Sequence, residues 1–344
     1  MEAWVTLATN DAYAVGALVL GRSLRRVGTT RQLVAMITHE ISASMRETMT
    51  RIFDSVVLVD VMHSGDDVNL ALIGRPDLSV TFTKLHCWRL TQYTKCVFMD
   101  ADTMVVENSD DLFDRPEIAA APDVGWPDCF NSGVFVFVPS EETYSRLVQL
   151  ALSLGSFDGG DQGLLNTYFN DWYTSDPPHR LPFIYNMSSN ASYGYKAAFH
   201  YFGKNVRIVH FLGASKPWHH SLEPDSGHVI VKGHPGHAVE HLQMWWDVLV
   251  ADLGPIMDFE NEFLPIHFKY LSISPSAANV AGSHGQHDHG YGSVGELGPG
   301  GVANPMGKRR LTPAEELARQ RNWEAGRIDY SFQWLNESYF LNIM

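Results

Sequence analysis

Short, nearly continuous apolar runs recur over the first 250 residues, separated by stretches with helical spacing. AWVTLAT is the first run, and Ala12 to Val27, with Leu18, Leu20 and Leu24 among small residues, predicts a helix after it. LVAMIT (33–38), a helix from Ser42 to Phe53, VVLVDV (56–61), a helix over Phe82 to Tyr93 and KCVFMD continue the alternation. SGVFVFVP (132–139) predicts a further strand, and Ser140 with Glu141 and Glu142 predicts a capped, dipole-matched helix start running to about Leu154. Asp161 to Phe169 predicts a helix, LPFIYN and RIVHFLG two late strands, and Ala238 to Val250 an amphipathic helix. Strands that are apolar throughout, rather than alternating, belong to a mostly parallel sheet covered by helices on both faces, so an α/β fold is expected.

The pattern breaks near Leu271. From Ser274 to about Arg310 the chain is rich in Gly, Ser and His and nearly empty of large apolar residues, so burial cannot offset the entropy of ordering it. The expected organisation is one catalytic domain over 1–271, a flexible Gly/Ser/His-rich linker over 272–312 and a C-terminal segment over 313–344. His284, His287 and His289 of the linker, like the His219–His220 pair, receive no role.

Composition narrows the partners. With 39 acidic against 25 basic side chains, the formal net charge of -14 repels phosphate polymers and anionic bilayers, so neither nucleic acid nor membrane is expected. The three cysteines, Cys87, Cys96 and Cys129, have no CxxC spacing and suggest neither a disulfide framework nor structural zinc. The N-terminus lacks a secretory pattern and no apolar run approaches the ~18 residues that span a bilayer. A cytoplasmic location is expected.

The run KCVFMDAD ends on two carboxylates at the carboxyl end of a strand, where open parallel sheets collect ligands. In an extended backbone Asp100 and Asp102 point the same way, and two carboxylates so close resist joint ionisation unless a cation lies between them. The alternative is a pair of turn-forming aspartates leaving a strand. A calcium loop is excluded, because Met104 and Val105 stand where a ligand and a glycine are required. His210, ending the run RIVH, is a candidate third ligand that tips the choice from calcium towards manganese. Lys216 follows six residues later with Gly213 between, so a ligand and a cation can face one diphosphate; an exposed loop lysine is the competing reading. No GxxxxGK[ST] occurs, and the single GxGxxG, Gly290 to Gly295, has no strand before it. In GSFDGGDQGLLN, Asp158 and Asp161 flank two glycines; they cap a helix or, with Gln162, approach a sugar. Asn131 and Ser132 in DCFNSGVF are turn residues or sugar contacts.

Taken in order, VTLATNDAYAVGALVLGRSL, RPDLSVTFTKLHCWRLTQYTKCVFMDADTMV, PDCFNSGVFVF, SFDGGDQGLLNTYF, LPFIYNMSS and HFLGASKPW resemble the glycogenin family of self-glucosylating, retaining family 8 glycosyltransferases. The resemblance covers most of residues 1–250. It implies a GT-A, Rossmann-like fold, UDP-glucose as donor, manganese with magnesium as the alternative, and glucose transfer with retention to a tyrosine and then to a growing α-1,4-glucan. By matched position, Leu7, Thr9, Asn10 and Tyr13 shape the uridine end, with Arg75 and Lys84 near the donor. Asp100, Asp102 and His210 hold the metal, Ala101 lies by the ribose, and Gly213 and Lys216 meet the diphosphate. Asn131, Ser132, Asp158, Asp161 and Gln162 surround the glucose, with Asp161, Lys84 and Asp158 catalytic. Tyr193 is the implied acceptor, Tyr195 its neighbouring candidate. The family also implies a homodimer and docking to glycogen synthase. RNWEAGRIDYS resembles the start of that docking segment, but the apolar FQWLNESYFLNIM departs from the charged helix that usually follows. The competing functions are a glucosyltransferase with a different acceptor and an inactive scaffold recruiting glycogen synthase.

Overall fold

The structure is a computed structural model that describes residues 1–190, 194–223, 225–233 and 236–257. All of them fall in the first of the chain's two units, Met1–Val280. The expectations for the linker and the C-terminal segment lie outside the described residues.

Chain order runs β1 (Glu2–Ala8), α1 (Asp11–Arg26), β2 (Gln32–Ile37), α2 (Ala43–Thr50), β3 (Ser55–Leu58), α3 (Asp67–Leu72), β4 (Lys95–Met99), β5 (Thr103–Val105), β6 (Ala119–Pro122), β7 (Phe130–Phe137), α4 (Glu141–Ser153) and α5 (Asp161–Tyr168). Then follow β8 (Met187–Ser188), α6 (Lys196–Phe202), β9 (Ile208–His210), β10 (Ser221–Leu222), β11 (Val229–Ile230) and α7 (Val239–Val248). The main sheet has the order β3-β2-β1-β4-β7-β6. β1 to β4 pair in parallel, whereas β7 runs antiparallel to both β4 and β6.

The unbroken apolar runs follow from burial on both faces. Trp4, Leu33, Ala35, Val97, Met99, Val134 and Val136 feed one core with α1 and α7, while the alternate residues Ala3, Val5, Val34, Met36, Phe98, Phe135 and Phe137 feed a second core with α4 and α5. Asn10 caps α1 by accepting from the Tyr13 N–H at 3.1 Å, and Ser140 caps α4.

Three local expectations change. Residues 82–93 do not form an α-helix: Phe82–Arg89 winds as a 3-10 helix with every residue from Phe82 to Trp88 buried, so burial on all sides overrides the amphipathic period. LPFIYN is not a strand, because Leu181 donates to Ala120 O at 2.9 Å and Pro182, lacking an N–H, turns the chain into a 3-10 turn at Phe183–Tyr185. RIVHFLG does yield β9, but in a separate three-stranded sheet ordered β5-β9-β8, where Thr103 pairs with His210.

Candidate active site

The chain does not leave β4 extended. Thr103 N–H donates to Asp100 O at 3.0 Å, so Asp100, Ala101 and Asp102 form a turn between β4 and β5. The carboxylates therefore converge through that turn and not through strand alternation, which corrects the extended-backbone expectation. Ala101 is buried, and its carbonyl is so close to α1 that a Cβ on Gly16 would lie 2.5 Å from it. Pairing of β5 with β9 brings His210 to the same place. Ligand atoms of Asp100, Asp102 and His210 all lie within 4.8 Å of one another.

Each aspartate has its own lysine. Lys84 Nζ lies 2.9 Å from Asp100 Oδ1 and 2.5 Å from Asp161 Oδ2, and it donates to Ser132 O at 3.2 Å. Burial works to lower the Lys84 pKa, but Asp100 and Asp161 overcome it and hold the ammonium well above its usual value. Lys216 Nζ donates to Asp102 Oδ2 and, at 3.0 Å, to Phe211 O, with Gly213 at φ 101° turning the backbone between them. Burial tends to raise Asp102, yet Lys216 and His210, whose Nε2 is 3.3 Å from Asp102 Oδ1, hold its carboxyl far below the ordinary aspartate range. Desolvation pushes Asp100 up; Lys84 opposes this, and Asp102 and Asp161 add to it.

The two arms are joined at the back by neutral side chains. Asp161 Oδ2 accepts from Ser132 Oγ at 2.8 Å, and Ser132 N–H donates to Gln162 Oε1 at 3.3 Å. Gln162 Nε2 and Asn131 Nδ2 both donate to Asp123 Oδ2, at 2.8 and 3.0 Å. Asn131 Oδ1 accepts from Asn186 Nδ2 at 2.8 Å, which leaves Asn186 Oδ1 2.8 Å from His210 Nδ1. An amide oxygen only accepts, so Nδ1 carries a proton towards Asn186, and Nε2 is the nitrogen turned to Asp102. Asn186 and Asp123 were missed by sequence reasoning. The signal for Asn186 was its place at the end of FIYN, and nothing in the sequence marks Asp123.

The remaining candidates fall in three groups. Leu7 lies near the carboxyl end of β1 and Thr9 and Asn10 follow it, Thr9 O accepting from Thr38 Oγ1 at 2.8 Å. The Tyr13 ring packs edge-on to Trp218 at 5.2 Å, and burial, Asp102 and Asp77 push its hydroxyl pKa well up. Arg75 forks onto Asp77 at 3.0 and 2.7 Å and is close enough to act on Tyr13. Asp158 Oδ1 accepts from Gly160 N–H, Gly163 N–H and Ser156 Oγ at 2.9, 3.1 and 2.7 Å, so it builds the entry to α5 that aims Asp161. Tyr193 lies outside the described residues; Tyr195 is 68% exposed just before α6.

The three metal-ligand candidates fit a hard divalent cation. They offer two carboxylates and an imidazole whose Nε2 is turned to them, and a Cβ on Gly133 would lie 2.1 Å from His210 Cε1, so the ring sits in a recess only glycine leaves open. Among the described residues, Asp100, Asp102 and Asp161 face two ammonium groups, those of Lys84 and Lys216, so these three carboxylates outnumber the lysines paired with them by one.

A mostly parallel sheet with acidic and basic groups gathered at the carboxyl end of β4 is the frame of an enzyme site, and the Glycosyl transferase family 8 profile, which matches residues 4–221, gives its class as a glycosyltransferase. The chain belongs to that family. It is 47% identical to Glycogenin-1 of Mus musculus over 96% of this chain and 94% of that protein. Glycogenin-1 of Caenorhabditis elegans is 57% identical over 74% of this chain and 56% of its own length. Among solved structures, the apo-form glycosyltransferase GlyE of Streptococcus pneumoniae TIGR4 overlays with a TM-score of 0.50 at 21% identity, covering 74% of this chain and 61% of that one, and shares the fold. No helix among the described residues is long and apolar enough to cross a membrane.

Proposed function

We propose that this chain transfers glucose from UDP-glucose to a tyrosine of its own and extends it into a short α-1,4-glucan that primes glycogen. The observation that carries the reading is the unbroken chain of contacts from Asp100 through Lys84, Asp161, Ser132, Gln162, Asp123, Asn131 and Asn186 to His210 and Asp102, which joins metal-ligand and sugar-facing groups in one network. The identity to glycogenins supports self-glucosylation over transfer to a different acceptor and over an inactive scaffold.

Asp100, Asp102 and His210 would hold manganese, or magnesium in its place. Bound there, the ion supplies Lewis-acid neutralisation of the charge that builds on departing UDP. Leu7, Thr9, Asn10 and Tyr13 hold the uridine end, Arg75 and Lys84 lie close to the donor, Ala101 lies by the ribose, and Gly213 with Lys216 meets the diphosphate. Asn131, Ser132 and Gln162 orient glucose through its hydroxyls. Asp161 faces the anomeric carbon, paired with Lys84 and Ser132 and aimed by the Asp158 cap, and it stabilises or attacks that centre on the way to retained configuration. Tyr193 is the first acceptor. The exposed aromatics of α6 and its flank, Phe199, Tyr201 and Phe202, are the surface a homodimer would cover, and residues 313–344 would engage glycogen synthase.

Incubation with UDP-glucose and manganese should add hexose increments to the intact mass, and Tyr193→Phe should add none while still glucosylating a free maltoside. An unchanged mass in the natural protein removes self-glucosylation; continued addition on Tyr193→Phe removes that acceptor alone.

A further inference from the structure

The connection between β6 and β7 is a tight hairpin closed by Asp123 N–H donating to Cys129 O at 2.8 Å. At its tip stands Trp126, 93% exposed, the most exposed large apolar side chain among the described residues. An indole left in water forgoes the largest burial any side chain offers, so this placement is a cost that a ligand would recover. The root of the hairpin is part of the active site. Asp123 Oδ1 accepts from Val124 N–H at 2.6 Å, and its Oδ2 holds the Asn131 and Gln162 amides. The side chain that sets the tip thus also sets the sugar-facing amides.

We propose that Trp126 is a stacking platform for a glucosyl unit of the α-glucan acceptor, a subsite outside the donor site. This rests on the reading of the chain as a glucan-elongating transferase. The occupant follows from the chemistry of the tip. Val124, Gly125, Trp126, Pro127 and Asp128 offer one flat apolar ring, no cation and an acidic neighbour, which suits the C–H face of a neutral sugar and disfavours anions. One ring with its flanks is far below the ~800 Å² per partner of a stable protein interface. It matches the footprint of a single pyranose.

The test uses the full chain. Trp126→Ala should raise KM for maltoheptaose about tenfold with kcat nearly unchanged, and Trp126→Phe should recover most of the loss. An unchanged KM in Trp126→Ala overturns the proposal; the residue is too exposed for its removal to disturb the core. As a second measurement, maltoheptaose should quench the tryptophan fluorescence of the natural protein and not that of Trp126→Phe; equal quenching in both also overturns it. If the natural protein transfers no glucose to any acceptor, the functional reading fails, and the quenching experiment still decides whether Trp126 binds glucan.

Discussion

Asp100 and Asp102 are separated by one alanine, yet they live in different surroundings. Asp100 keeps 31% of its side chain accessible and shares Lys84 with Asp161; Asp102 keeps 8% and shares its place with His210 and Lys216. The first arm carries two carboxylates for one ammonium, and desolvation, opposed by Lys84 and helped by Asp102 and Asp161, pushes Asp100 up. The second arm is balanced, and Asp102 is held down. A pair that looks symmetric in sequence is divided: one arm leads to Asp161, the other to Lys216.

The largest expected effect separates the arms by function. Asp161→Asn should slow glucose transfer by about 10³-fold while UDP affinity stays within about threefold, since the lost charge faces the developing cation. Asp102→Asn should instead weaken manganese-dependent UDP binding by about 10–100-fold. Single-turnover transfer and calorimetry read the two, and near-normal turnover in Asp161→Asn would erase the division. A smaller effect probes the back of the second arm. Gly133→Ala places a Cβ 2.1 Å from His210 Cε1, and β7, paired on both edges, has no room to yield. Stability should fall by about 1–3 kcal/mol and manganese affinity about tenfold. Unaltered manganese titration would mean the recess does not hold the ring.

The smallest effect is a slope. His220 is buried beside the Lys216 loop, its Nδ1 accepting from Lys232 N–H at 3.2 Å and its Nε2 3.4 Å from Ser215 Oγ. Burial, then His237, His219 and Lys232, holds its pKa down to about 4. The unfolded chain takes up this proton near 6.5 and the fold only near 4, so stability present above about 6.5 is lost as pH falls towards 4. Thermal melts between pH 7 and 5 should decline less in His220→Asn than in the natural protein. Parallel declines would remove His220 as the source.

Most of the charged side chains that the fold brings together here were legible in the sequence, because polar residues at strand ends leave a local mark: KCVFMDAD, RIVHFLG and the glycines of FDGGDQG each place a polar residue where an apolar run stops. The sheet was legible for a related reason, since burial on two faces removes alternation. What stayed hidden acts across sequence distance. Asp123 and Asn186 matter only through the partners they meet in the folded chain, at separations of 39 and 24 residues from Gln162 and His210. The 3-10 winding of Phe82–Arg89 that delivers Lys84 is dictated by what surrounds it, not by its own period.

β7 supplies Asn131, Ser132 and Gly133 to the site from a strand whose eight residues are all buried, hydrogen-bonded to β4 on one side and β6 on the other. Its amide hydrogens have no local route to solvent, so deuterium should enter there only when the whole sheet opens. That wall of the site would then last as long as the native state itself, while the turn that bears Trp126 exchanges within the dead time of the labelling.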